Sequence, residues 1–421
     1  MTVRISDEFP RYTQFDPAVP VWCITPNIDR CVHRFFDSSP LSPSGRYAAL
    51  TRLPYEDRLP TPGDLAEIVL VDLQAGTGRI IAKTAGWDTQ LGAQAQWGVD
   101  DSQLLFNDCD TSAWRPFGVR MNLLTGERTQ LQGTVYMVSP DGTQAASPCL
   151  LRTARTQAGY GVIAPDEAIP HNSGAVDYDG VYLTDTQTGE SRLLVSLRQI
   201  VDATDIGKRL DQYGEGGFYG AHVKWNPQGD RIMLVLRWMP ADPAAKMKPN
   251  VITLAADGSD IHLAIPDAVW GTRRGHHPNW CPDGEHVMMN MAKAPDDPQV
   301  WLVRARYDGS DYQRMTAAVP GSGHPSLHPN GRHVITDCYV GGLFEYEDHT
   351  VPLRLIDLAQ GSEEAIVRIN TVPGFRGPLN ELRVDPHPAW NRRFERIVFN
   401  AYPDGTRRVF VADLADCLGR S

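Results

Sequence analysis

A chain of 421 residues with 42% hydrophobic and 22% charged residues has the composition of a globular protein able to bury a sizeable core, which excludes extended disorder. A formal net charge of −11 excludes a general nucleic-acid or anionic-membrane surface, since both partners demand a basic face, but leaves room for a small anion in a locally basic pocket. The seven cysteines are odd in number, scattered and never arranged as CxxC, so reduced thiols are expected rather than a disulfide framework or thiolate-held zinc.

The first segment, MTVRISDEFPRYTQFD, lacks the apolar core of a secretory signal, and no later run reaches the apolar length that spans a bilayer. A cytoplasmic protein that does not enter membranes is expected. VPVWCIT (19–25) reads as a lone strand. Beyond it one pattern recurs: an apolar residue, a Pro-x-Gly turn or its degenerate form, then an apolar strand. The copies are LSPSGRYAAL from Leu41, WGVDDSQLLF from Trp97, VSPDGTQAAS from Val138, WNPQGDRIML from Trp225, WCPDGEHVMM from Trp280, LHPNGRHVIT from Leu327 and WNRRFERIVF from Trp390. Proline presets one dihedral and glycine or asparagine accepts positive φ, so each copy is strand, hairpin turn, strand.

A third strand and a further turn trail each copy, from IVLVDLQAGTG (68–78) through VYLTDTQTGE (181–190) to VFVADLA (409–415). Seven four-stranded units at this spacing predict an all-β, seven-bladed β-propeller spanning 1–421 as one domain. Residues 152–178 interrupt the repeat with a Gly- and Pro-rich insertion, expected as a surface loop or lid. The last unit stops soon after its third strand, so 19–25 is expected to supply the fourth and close the ring.

Three residues before each turn pattern stand Ser38, Gln94, Val135, His222, His277, His324 and His387. The first strand of every propeller blade lines the central channel, so equivalent positions on adjacent blades converge. One histidine there is a polar plug; four in register point to a metal or catalytic site. Asp385, two residues before His387, adds a hard oxygen on the same strand face. His286, His333, His328, His262 and His349 fall on second strands, turns and outer elements and are expected to be structural.

The ends of the second strands carry Arg52, Asp108, Arg152, Arg237, Asn290, Asp337 and Tyr402. Their loops are expected to open on the same face, where arginines suit a carboxylate- or phosphate-bearing ligand. No GxSxG elbow, P-loop or HExxH motif occurs, which argues against serine hydrolase, nucleotide and zincin chemistry.

The sequence resembles the oligogalacturonate lyases, seven-bladed propellers that cleave short pectic oligomers, most sharply in CVHRFFDSSPLSPSG (31–45), GWDTQLGAQAQWGVDD (86–101), GAHVKWNPQG (220–229), RGHHPNWCPDG (274–284) and VDPHPAWN (384–391). The resemblance implies a lyase acting on an anionic, uronic-acid-containing oligosaccharide by β-elimination. It implies a divalent metal, manganese in that family with zinc or calcium as other candidates, held by His277 and His387, with His222 as base. His324 and Asp385 complete the expected metal set; His33, Gln94, Arg52 and Arg152 are the expected substrate contacts. Two departures stand out. Asp385 replaces the family's second histidine in the final HPH-type motif, and the family's glutamine ligand and catalytic arginine have no clear match, so Arg237 is assigned by position. Ulvan-type lyases share the architecture and use histidine, tyrosine and arginine, which makes Tyr219 the candidate proton donor. The competing reading is a non-enzymatic TolB-like propeller for protein or ligand binding. Nothing in the sequence signals an oligomeric state.

Overall fold

A computed structural model describes residues 3–419. Seven four-stranded antiparallel sheets form the ring, and in the first six the strands pair in simple sequence order. Blade 1 comprises Cys31–Val32, Tyr47–Arg52, Ala66–Asp72 and Thr77–Thr84. The innermost strands of blades 2 to 7 are Gln96–Trp97, Met137–Val138, Gly216–Trp225, Gly275–Trp280, Ser326–Leu327 and Ala389–Trp390. The seventh sheet is closed as the sequence predicts: Val21–Cys23 pairs antiparallel with Arg408–Asp413, setting Val21 opposite Ala412 and Cys23 opposite Phe410. This joins the two ends of the chain in one sheet and covers an edge strand that would otherwise offer unpaired backbone groups.

The apolar residue that opens each turn pattern also joins neighbouring blades. The indole N–H of Trp97 donates to the carbonyl of Pro40 at 2.9 Å, that of Trp280 to Lys224 at 3.0 Å and that of Trp390 to Ser326 at 3.4 Å. Each acceptor immediately precedes the equivalent apolar residue one blade earlier. The same tryptophans are almost fully buried. They therefore fill the seams with large apolar rings while satisfying their one polar atom.

Between Ser147 and Gly180 the insertion forms a short helix at Leu150–Thr153 and a single 3₁₀ turn at Asp166–Ala168. It folds back on the ring rather than standing free: Tyr160, Val162 and Val176 are buried in the same apolar cluster as Phe35, Phe218 and Trp238. No helix among the described residues is long and apolar enough to cross a membrane.

Candidate active site

Two backbone devices deliver the in-register residues to the channel. The first is a set of polar side chains near the ends of second strands that grip the chain where the next blade begins. Thr51 accepts from the amide of Ala93 at 3.0 Å, Asn107 from that of Val135 at 2.8 Å, Asp337 from that of His387 at 3.0 Å, and Asn400 from that of His33 at 2.9 Å. Asn290 donates to the carbonyl of Gly323 at 2.9 Å, just before His324. The second device is local distortion. Gln94, His277 and His387 all have positive φ, of 58°, 58° and 50°, a region that costs a non-glycine residue on the order of 1–3 kcal/mol. The pairing of the innermost strand also slips between Gly220 and Val223 in blade 4 and between His276 and Asn279 in blade 5, so His222 and His277 sit in bulges that re-aim them.

The histidines gather around Phe35. Its ring centroid lies 4.7 Å from that of His387, 5.4 Å from His222 and 5.5 Å from His324, and it stacks nearly parallel on His222. His277 stacks on His324 at 3.7 Å, and His387 meets His324 edge-on at 4.3 Å. Beneath Phe35 a buried ion cluster plugs the channel. Asp37 pairs with Arg34 and, at 2.9 Å, with Lys224, while Gln94 accepts from Arg34 at 2.8 Å. Burial opposes the charge on Asp37, but the two cations outweigh it and hold the carboxyl at about 2.

His324, Asp385 and His387 each offer a ligand atom, all within 4.8 Å of one another. His324 is oriented by Asp337, whose carboxylate accepts from Nδ1 at 2.9 Å, leaving Nε2 as the free lone pair. That Nε2 and both ring nitrogens of His387 are buried without a hydrogen-bond partner. Buried imidazole nitrogens left in this state are costly, and a cation relieves the cost. Two neutral imidazoles and one carboxylate suit a divalent transition metal; calcium, which takes oxygen ligands, suits the set poorly. His277 stands beside this group rather than in it: its Nδ1 lies 2.7 Å from the Gly323 carbonyl and 2.9 Å from Nδ1 of His276.

Across Phe35, His222 is held between two tyrosines. Its Nδ1 shares a hydrogen bond with the Tyr136 hydroxyl, and the Tyr160 ring from the insertion meets it edge-on at 5.8 Å. Burial, reinforced by the positive charges of Arg237 and Lys224, keeps the His222 imidazole neutral well below the usual range. Arg237 is buried, makes a 3.1 Å bond to the Thr156 hydroxyl, leaves its Nε unpaired and forms no ion pair among the described residues; burial lowers it to about 10. Arg383 donates to Asp385 at 2.8 Å and to the Tyr160 hydroxyl at 3.1 Å. Burial raises Tyr160 to about 12, with Arg383 pulling the other way.

This arrangement makes the fold acid-sensitive. Burial lowers His33 to about 4, and burial together with neighbouring cations or imidazoles lowers His222, His277 and His387 well below the usual imidazole range. An unfolded imidazole titrates near 6.5, so below that pH the unfolded chain binds protons that the native chain does not, and stability drops as the pH falls. His33 alone costs about 1.4 kcal/mol for each pH unit between about 6.5 and 4. The urea midpoint should hold above pH 7 and fall steadily from 6.5 to 5; a midpoint flat across that range contradicts the assignment.

Several expected contacts lie elsewhere. Arg52 is committed to Asp29 at 2.7 Å and Glu67 at 3.0 Å, and Arg152 lies 3.7 Å from Asp179 and over the Tyr178 ring. Gln94 braces Arg34 in the plug instead of facing a ligand. The Tyr219 hydroxyl is engaged by the Asn172 amide, from which it accepts at 2.9 Å. His33 packs at 6.4 Å from His387 with Nε2 3.3 Å from the Pro386 carbonyl. Tyr136, Tyr160, Asp337, Tyr339 and Arg383, which the repeat does not single out as site residues, are the groups that surround the histidines.

Compared with solved structures, the ring superposes over nearly its whole length on an oligogalacturonate lyase in complex with manganese, with a TM-score of 0.66 at 14% identity over 98% of this chain and 96% of that one. The chain has the oligogalacturonate lyase fold. A second oligogalacturonate lyase, from Vibrio parahaemolyticus, gives the same TM-score of 0.66 at 12% identity, covering 98% and 97% of the two chains. Among curated sequences, an uncharacterized protein of Agrobacterium fabrum is 30% identical over 228 residues, 53% of this chain and 65% of that protein's length. No family model matches the sequence.

Proposed function

We propose that this protein is a metal-dependent lyase that cleaves uronic-acid-containing oligosaccharides by β-elimination. The observation that carries the reading is the pairing of a neutral, tyrosine-held His222 with an unpaired buried Arg237, across Phe35 from the His324, Asp385 and His387 donors. The shared fold with a lyase solved as a manganese complex supports manganese as the ion. When bound, that ion neutralises the uronate carboxylate and so acidifies the proton on the adjacent carbon.

Tyr136 fixes the imidazole: with Nδ1–H donating to its oxygen, Nε2 carries the lone pair and takes the C5 proton. The electrons of the C5–H bond form the C4–C5 double bond and the glycosidic C4–O bond breaks. Arg237, with no carboxylate of its own, offers its guanidinium to the substrate carboxylate as enolate character develops. Tyr160 stays protonated at neutral pH and gives its proton to the departing oxygen; Arg383, bonded to its hydroxyl, stabilises the phenolate that results. No cysteine is in a disulfide among the described residues, which supports placement in the reducing cytoplasm. Incubation of manganese-loaded protein with oligogalacturonates and with other uronides should generate the ultraviolet absorbance of an unsaturated uronate. No absorbance with any uronide sinks the proposal.

A further inference from the structure

The connection from Thr84 in blade 1 to Gln96 in blade 2 contains a buried turn, residues 87–91, that grips two segments remote in sequence. One is the part of the insertion around Tyr160. The Gln90 amide donates to the Gly159 carbonyl at 3.2 Å, and the Ile163 amide donates to the Trp87 carbonyl at 3.3 Å. The other is the connection into blade 7 that carries Arg383. The Gln90 side chain donates to the Glu381 and Arg383 carbonyls, and the Thr89 hydroxyl lies against the carbonyls of both Gly159 and Glu381. One short turn thus fastens the two off-repeat segments that bring Tyr160 and Arg383 to His222.

Asp88 is the centre of this grip. It is buried and forms no ion pair among the described residues; backbone amides meet its carboxylate instead. One oxygen accepts from the Gln90 and Leu91 amides at 3.0 and 2.6 Å, which closes the turn. The other accepts from the Gly161 amide at 2.9 Å, one residue beyond Tyr160. Hydrogen bonds to an ionised acceptor are roughly twice as strong as neutral ones. The piece they hold has little room to shift. Gly159 and Gly161, on either side of Tyr160, have φ of 86° and 94°, and a Cβ would lie 2.9 Å from the Glu381 carbonyl oxygen at the first and 2.3 Å from that of Leu150 at the second. Tyr160 is therefore carried on a turn wedged between the blade 7 connection and the helix at Leu150–Thr153.

We propose that Asp88 is a positioning residue for the elimination: by fastening Gly161 it holds the Tyr160 hydroxyl between Arg383 and His222, where its proton reaches the departing oxygen. The inference rests on the lyase reading, with Tyr160 as its acid. Asp88 touches no reacting atom and acts through Tyr160 alone. Asparagine in its place keeps one oxygen for the Gln90 and Leu91 amides, but its NH₂ then faces the Gly161 N–H, donor against donor. The insertion is released with almost no change in side-chain volume.

The test compares two substrates on the manganese-loaded wild type, Asp88→Asn, Tyr160→Phe and the double variant. One is an oligogalacturonate, whose departing oxygen needs a proton; the other is a galacturonate with a 4-nitrophenyl ether at C4, whose departing phenolate does not. Burial raises the Asp88 carboxyl to about 7 against the pull of its amides and of Arg34, so rates are read at about pH 8, where it is ionised. Asp88→Asn should lower kcat on the oligogalacturonate by about 10–100-fold, the scale of a misplacement near 1 Å, with KM little changed. It should slow the nitrophenyl substrate by no more than about twofold, and it should cost nothing further on the Tyr160→Phe background. Should Asp88→Asn fail to fold, Thr89→Val, a milder break in the same grip, takes its place with the same dependence on the leaving group. Equal slowing of both substrates, no slowing, or additive losses in the double variant refute the role of Asp88 and leave the lyase reading standing. A wild type that eliminates from neither substrate nor any other uronide overturns both.

Discussion

His222→Gln should lower turnover of an oligogalacturonate by about 10²–10⁴-fold, the range that a positioned base contributes. Glutamine keeps roughly the bulk of the ring and a polar end for the Tyr136 hydroxyl, so the channel stays filled. The change removes the lone pair that takes the C5 proton. Tyr136→Phe should cost less, since it frees the ring to choose its tautomer without removing the base. Because burial keeps His222 neutral well below the usual imidazole range, the acidic limb of the rate profile should reflect loss of fold or metal before protonation of the base. The measurement is the initial rate of ultraviolet absorbance, with the urea midpoint of each variant as the control. A His222→Gln protein that folds like the wild type and keeps more than about a tenth of its rate removes His222 from the chemistry.

The ring was legible because its signal is repeated. Each turn is weak alone, but five Pro-x-Gly copies and two degenerate ones in register leave little alternative, and the shortage of a final strand points directly to the strand at Val21–Cys23. The same register brings out the four histidines whose rings gather around Phe35, although local bulges and positive φ aim them there. It failed where side-chain direction depends on the local path of the backbone. Tyr219 is three residues from His222, a spacing that regular alternation puts on opposite strand faces, and its hydroxyl accepts from the Asn172 amide. The arginines at second-strand ends failed for another reason: Arg52 and Arg152 found carboxylates close by, at Asp29, Glu67 and Asp179, that a register count cannot weigh.

Two of the groups that the repeat does not single out lie outside it. Tyr160 comes from the insertion, and Arg383 from the long connection into blade 7. Both are held in place by contacts remote in sequence. The side chain of Gln90 donates to the carbonyls of Glu381 and Arg383 at 3.0 and 3.1 Å, and Arg407 donates to that of Leu382 at 2.7 Å. Asp337 is a different case. It stood in the list of second-strand ends, but only its neighbours in space distinguish a carboxylate that orients a histidine from one that faces water.

Asp337→Asn should weaken divalent metal binding by about 10–100-fold, the usual loss when the carboxylate behind a ligating histidine is removed. One carboxylate does three jobs here, the first being to accept from the His324 amide at 2.6 Å. It accepts from His324 Nδ1 at 2.9 Å, which leaves Nε2 as the lone pair facing the donor group, and it accepts from the His387 amide at 3.0 Å, which steadies a residue held at φ 50°. Asparagine retains one acceptor oxygen but cannot satisfy all three donors, and its amide hydrogens face groups that donate themselves. It also removes the negative charge that makes the imidazole a better ligand. The readout is the manganese or zinc dissociation constant by calorimetry, together with the metal content of the purified variant. Asp357→Asn, which loosens an Arg332 ion pair on the outer part of the same blade, serves as a control that should leave metal affinity unchanged. Equal affinity for wild type and Asp337→Asn would mean that His324 does not ligate through the nitrogen that Asp337 sets free, and the donor group would have to be rebuilt around His387 and Asp385.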